Sequence, residues 1–261
     1  MDTAGPLTRT VEDAALLLRL IAGRDPKDPL TSRRPVPDYG EGLTRDVVGL
    51  RIGIIGELAS GAETDGEVRT AVMAGARRLG ALGAAVEETS LPLVSLAGAI
   101  FMALADADGA GLHQRWLRER PMGYDEGTRR RLLTASLIPA ATYQQAARAR
   151  ALLRAQVAEA LRRYDLLLCP TADQAAPPIA MGRATITSRA EVAGRFFTRR
   201  SYVTPAALAG TPAIAVPCGF TRAGLPIGLQ LLARPFEEPT LLRAAYAYEQ
   251  DTEWSQRRPS L

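Results

Sequence analysis

The sequence predicts an α/β fold in which a mixed, largely parallel β-sheet lies between helical layers, and three observations carry that expectation. The apolar run LRIGIIG (50–56) is followed by a helix-like segment over 65–82 and a second strand-like run, AAVEETS (84–90). This β-α-β spacing joins parallel neighbours through a right-handed crossover. The run DLLLCP (165–170) has the length and apolarity of a strand covered on both faces, and Pro170 stops it. Near the end, AIAVPCG (213–219) and GLPIGLQLLA (224–233) flank the short turn Arg222-Ala223-Gly224 and read as a hairpin.

The helices follow in chain order. A first helix is expected from about Val11 to Ala22, with Thr10 as its cap, Asp13 near its positive end and Gly23 terminating it. The next stretch, RDPKDPLTSRRPVPDYGEG (24–42), is dense in Pro, Asp and Gly and predicts a long ordered loop or linker. Thr64 and Glu67 form a capping-box pattern ahead of the 65–82 helix. Residues 93–164 read as mostly helical. They end in a long helix opened by Thr142-x-x-Gln145, with Ala146, Ala149, Leu153, Val157 and Leu161 at turn spacing. A helix over 199–209 ending at Gly210, and a last one begun by Pro239, complete the pattern. One domain over 1–261 accommodates all of it.

Composition narrows the class. Apolar residues make up 47% and charged residues 23%, which places the chain among folding globular proteins rather than disordered ones. Lys27 is the only lysine among 32 cationic residues. Acidic residues interleave with the arginines, so the net charge of +4 reads as a mixed surface and no nucleic-acid partner is expected, even for the run Arg129-Arg130-Arg131. Two cysteines, Cys169 and Cys218, and one histidine, His113, do not make a metal site, and no cofactor is expected. No signal-peptide pattern and no run of about eighteen apolar residues is visible, so a cytoplasmic protein with no membrane partner is expected.

Acyl-transfer chemistry needs a nucleophile, a base and oxyanion donors. His113 lies in GLHQRWLRER without a G-x-S-x-G elbow, and Lys27 sits between two aspartates in a turn where its amine stays protonated. The carboxylate pairs Glu87/Glu88, Asp106/Asp108 and Glu237/Glu238 read as a strand end, a helix surface and a helix N-terminus. Cys169 ends a buried strand with nothing cationic beside it and reads as an inert thiol. The residues by themselves supply no catalytic set.

Three stretches resemble the amidase-signature family. MDTAGPLTRTVEDAALLLRLIAGRDPKDP (1–29) resembles the segment directly after that family's Ser/Gly-rich signature. YDLLLCPTADQAAPPIA (164–180) resembles its late strand and pocket loop, and LAGTPAIAVPCGFTRAGLPIGLQLLARPFEEPTLLRAAYAYE (208–249) resembles its closing hairpin and helix. Residues 90–140 match only loosely. The resemblance implies a partial amidase-signature fold and amide hydrolysis through a serine nucleophile, a bridging serine and a lysine. All three belong to motifs upstream of Met1, so no catalytic residue is assigned, and a chain of only this span is expected to be inactive. Thr171, Asp173, Tyr202 and Pro205 match positions that face the acyl pocket and are the expected substrate-binding residues. The expected partner is a small-molecule amide once the catalytic part is present, and a homo-oligomer stays open. Two alternatives remain: the glutamine-hydrolysing subunit of a tRNA-dependent amidotransferase, and a non-catalytic binding or regulatory protein.

Overall fold

The protein is seen in a computed structural model that describes residues 3–178 and 199–258, with 188, 191 and 197 between them. Met1, Asp2, Ile179 and Ala180 of the family-like stretches lie outside the described residues. Five strands form one sheet in the order β2-β1-β3-β5-β4: β1 (Arg51–Ile55), β2 (Ala85–Thr89), β3 (Leu166–Pro170), β4 (Ala213–Phe220) and β5 (Pro226–Ala233). Parallel pairs join β2, β1 and β3, whereas β5 runs antiparallel to both β3 and β4. Four strands therefore point one way and β5 alone points back, as a tight hairpin after β4 requires.

Alternation along the strands separates two cores. Ile52, Ile54, Leu166, Leu168, Val216, Leu229 and Leu231 face a layer built from α3 (Gly66–Ala81) and α8 (Glu238–Gln250). Packed on α8 is α1 (Val11–Ile21). Leu167, Cys169 and Leu232 face the opposite layer, made by α4 (Ala97–Glu119), α6 (Ala140–Arg163) and α7 (Thr204–Ala209). The short helices α2 (Gly56–Ala59) and α5 (Glu126–Ala135) complete the described set. Asp165 ties three strands together: its carboxylate accepts from the Arg51 amide at 3.0 Å and lies 3.5 Å from the Arg234 guanidinium.

Several local expectations change. The cap of α3 is Asp65, whose side chain accepts from the Glu67 and Val68 amides. Thr64 turns inward instead, and Glu67 reaches away to accept from the Arg222 amide in the hairpin turn at 2.9 Å. A capping box is purely local, and two tertiary partners outcompete it. Helix α6 starts at Ala140 behind Pro139, so Thr142 lies within the first turn and does not cap it. The helix expected over 199–209 is broken into a 3-10 turn at Arg199–Ser201 and α7. Pro205 explains the break, because its ring excludes the carbonyl four residues earlier from a continuous helix. Gly210 ends α7 with φ +73°, a left-handed conformation that a side chain disfavours.

Asp106, expected on a helix surface, is buried and paired with Arg131 of the basic run. The span Pro92–Glu119 is long and apolar enough to cross a membrane. Its uninterrupted apolar run extends only over 96–105, short of the roughly eighteen residues that would mark it in the sequence. In the fold this helix packs on α6 and α7, and its apolar residues enter the core they share.

Candidate functional site

A polar cluster gathers where β3 ends. Leu167 and Cys169 point toward the α4/α6/α7 layer, and the chain then continues through Thr171 and Asp173 into the loop. The Thr171 amide donates to the Gly228 carbonyl at 3.0 Å, which extends the β3–β5 pairing by one rung. The Thr171 hydroxyl is buried without a hydrogen-bond partner among the described residues. The Asp173 carbonyl accepts from the Asp65 amide at 2.8 Å, anchoring the loop to the start of α3.

Tyr202 closes the cluster from the bend between the 3-10 turn and α7. Its ring is buried, and its hydroxyl lies 2.8 Å from the Thr64 hydroxyl, which in turn lies 2.7 Å from the Leu58 carbonyl. Thr64 has one proton, committed to Leu58, so Tyr202 is the donor in their bond. The Tyr202 carbonyl accepts from Gln230 Nε2 at 3.2 Å, and the same nitrogen lies 3.5 Å from Cys169 Sγ. Pro205, buried in the first turn of α7, sets the bend that delivers Tyr202.

Electrostatics keep these groups neutral. Burial raises the Tyr202 phenol above its ordinary value, the Thr64 bond offsets part of this, and the nearby carboxylates of Asp173 and Glu63 add to the rise. Burial pushes the Cys169 thiol up to about 12 despite the Gln230 amide, so it is not a thiolate at neutral pH. Lys27 stands exposed in the loop after α1, where its amide donates to the Asp25 side chain. His113 Nδ1 lies 2.9 Å from the Tyr124 hydroxyl, and its ring packs near Trp116, a structural arrangement. Tyr164 donates to Glu87 at 2.6 Å, and Tyr143 to Asp108 at 3.1 Å, so both carboxylates serve packing.

The fold thus brings Thr171, Asp173 and Tyr202 to one end of β3 and β5, with Pro205 behind them. Two surface hollows, of about 410 and 390 Å³, lie elsewhere. One is lined by residues including Arg78, Cys218, Tyr248 and Trp254, the other by Gly56, Glu57, Glu88, Thr89 and Ser90. Sequence reasoning missed Thr64 and Gln230. The available signal for Gln230 was a lone amide inside the apolar run GLPIGLQLLA; Thr64 was obscured by its resemblance to a cap.

Comparison with known proteins places this geometry. The family model for amidases matches residues 1–242. The chain belongs to the amidase family. It is 36% identical to a glutamyl-tRNA(Gln) amidotransferase subunit of Thermosynechococcus vestitus, covering all of this chain and 58% of that protein. It is 37% identical to an amidase of Pseudomonas putida, again over its whole length and 55% of the relative. The solved structure of the corresponding Thermotoga maritima amidotransferase subunit superposes with a TM-score of 0.77 at 29% identity, over 95% of this chain and 52% of that one. The chain therefore spans little more than half the length of the relatives it matches.

Proposed function

We propose that these residues form one wall of the acyl pocket in an enzyme that hydrolyses carbon–nitrogen amide bonds. The nucleophilic hydroxyl, its bridging serine and its lysine come from polypeptide outside this span. Thr171 and Asp173 are the pocket-facing groups, and Tyr202 and Pro205 hold the wall behind them. The observation that carries this reading is the polar cluster at the end of β3 in an amidase-family chain, whose one thiol is held up at about 12. Such a cluster positions a substrate and does not attack it.

A second reading has support of its own: the relatives named as glutamyl-tRNA(Gln) amidotransferase subunits match as well as the Pseudomonas putida amidase does. On that reading the acyl donor is glutamine. The purified 261-residue chain is expected to take no label from a fluorophosphonate and to hydrolyse neither an aryl amide nor glutamine. Stoichiometric labelling, or turnover by this span alone, overturns the proposal. When the catalytic part is supplied, preference for glutamine over an aryl amide selects the amidotransferase reading. Binding of either amide without turnover selects a non-catalytic role.

A further inference from the structure

The larger of the two surface hollows lies where β4, α3 and the end of α8 meet. The register of β4 steps from the Pro217–Gly228 pair to the Gly219–Ile227 pair, a bulge that leaves Cys218 without a cross-strand partner. Its side chain is buried in the α3/α8 core, across the sheet from Cys169 and Tyr202. Gly75 of α3 meets it there: a Cβ at 75 would lie 2.6 Å from Leu229 Cδ2, 3.2 Å from the Tyr248 hydroxyl and 3.6 Å from the Cys218 Cβ. Glycine at this position lets helix, strand and phenol converge. The hollow that these groups line holds about 410 Å³, within the range of small-molecule sites and near its lower end.

Its floor is neutral and its rim is charged. Gly75, Cys218 and Tyr248 are buried, whereas Arg78, Glu253 and Arg257 are exposed. Burial pushes the Cys218 thiol up to about 12 and is also the main cause that raises the Tyr248 phenol, so neither ionises at neutral pH. At the rim, Arg78 is taken by Asp251, whose carboxylate and carbonyl both accept from it. Arg257 and Glu253 form no ion pair with each other or with any other described residue. The Arg257 guanidinium stacks instead, 4.8 Å from the Phe220 ring centroid and 5.6 Å from that of Trp254. Stacking uses the flat faces of a guanidinium and leaves its edge N–H groups for a carboxylate. Unpaired charges on open surface are ordinary, but this rim is pinned: Arg9 donates to the Arg257 carbonyl at 2.7 Å, and the Thr252 hydroxyl to the Tyr248 carbonyl at 3.0 Å. An uncharged floor below one cation and one anion complements a molecule with a neutral body and both charges at one end.

We infer that this hollow binds a free α-amino acid with an apolar or aromatic side chain. The carboxylate meets Arg257, the ammonium meets Glu253, and the side chain enters between Cys218, Tyr248 and Trp254. The inference goes beyond the amidase reading and does not depend on it, because the sheet lies between this hollow and the Tyr202/Cys169 cluster.

The test titrates the 261-residue chain with L-phenylalanine, following heat and the fluorescence of Trp254 in a Trp116→Phe background, where it is the only tryptophan. Saturable one-to-one binding that changes Trp254 emission is expected. Phenethylamine lacks the carboxylate and 3-phenylpropanoate lacks the ammonium, so each should bind about tenfold or more weakly. Arg257→Gln and Glu253→Gln should each weaken L-phenylalanine binding to a similar degree, whereas Arg118→Gln, on α4 in the other layer, should leave it unchanged. All three positions are exposed, so circular dichroism should report native folding in each variant. The inference is overturned by absence of saturable binding, by an affinity indifferent to either rim variant, or by a one-charge analogue that binds as well as the amino acid.

Discussion

The two helical layers cover the same sheet to different extents. Over the α3/α8 layer the β4 residues Val216 and Cys218 are buried in one core together with Tyr248 and Leu79. Over the α4/α6/α7 layer the cover is complete above β1, β3 and β5, where Leu167, Cys169 and Leu232 are buried, but Ala213 and Ala215 of β4 stay exposed. One layer is finished within this chain, and the other stops one strand short, beside the polar cluster of Tyr202, Gln230 and Cys169. The cluster at this boundary therefore combines groups rigidly held by a packed core with a strand face that stays exposed.

Truncation of one core residue in each layer tests whether both are equally well packed. Leu79→Ala in α3 and Leu153→Ala in α6 remove fully buried side chains and should each cost about 2–5 kcal/mol in urea unfolding. A much smaller loss for Leu153→Ala would show that the site-side layer is loose throughout and not only above β4.

Gly228→Ala probes the boundary itself. A Cβ there would lie 2.6 Å from the Thr171 hydroxyl, so the loop after β3 must shift, at a cost of about 1–3 kcal/mol by the same assay. If Thr171 lines the proposed acyl pocket, affinity for an amide ligand should fall as well. Unchanged binding would remove Thr171 from the pocket wall.

The smallest effect is expected at the far end of β3. Burial pushes the Asp165 carboxyl up, but bonds from the Arg51 amide and guanidinium, with the charge of Arg234, bring it to a net value below 3.8. Its stabilisation is therefore present above the unfolded-state pKa and lost as pH falls through the lower folded value. Asp165→Asn should cost about 1 kcal/mol at neutral pH, with the gap to the parent chain closing in acid below that folded value. A gap that persists there would mean the loss comes from packing and not from charge.

Much of this protein is legible in its residues alone. Apolar runs of strand length, Gly210, Pro239 and the hairpin turn state local preferences that each residue carries wherever it sits, so strands, helices and fold class followed from them. The pairing of Glu67 with the Arg222 amide, 155 positions away, was invisible because nothing in either neighbourhood encodes the other. Thr64, Tyr202 and Gln230 share this property: each looks like a cap, a core aromatic or a stray amide until the sheet order sets β3 against β5. Residue chemistry and periodicity determined which elements exist. Only the tertiary structure decided which strand was left bare and which polar groups meet, because burial and long-range hydrogen bonding depend on neighbours that folding alone supplies.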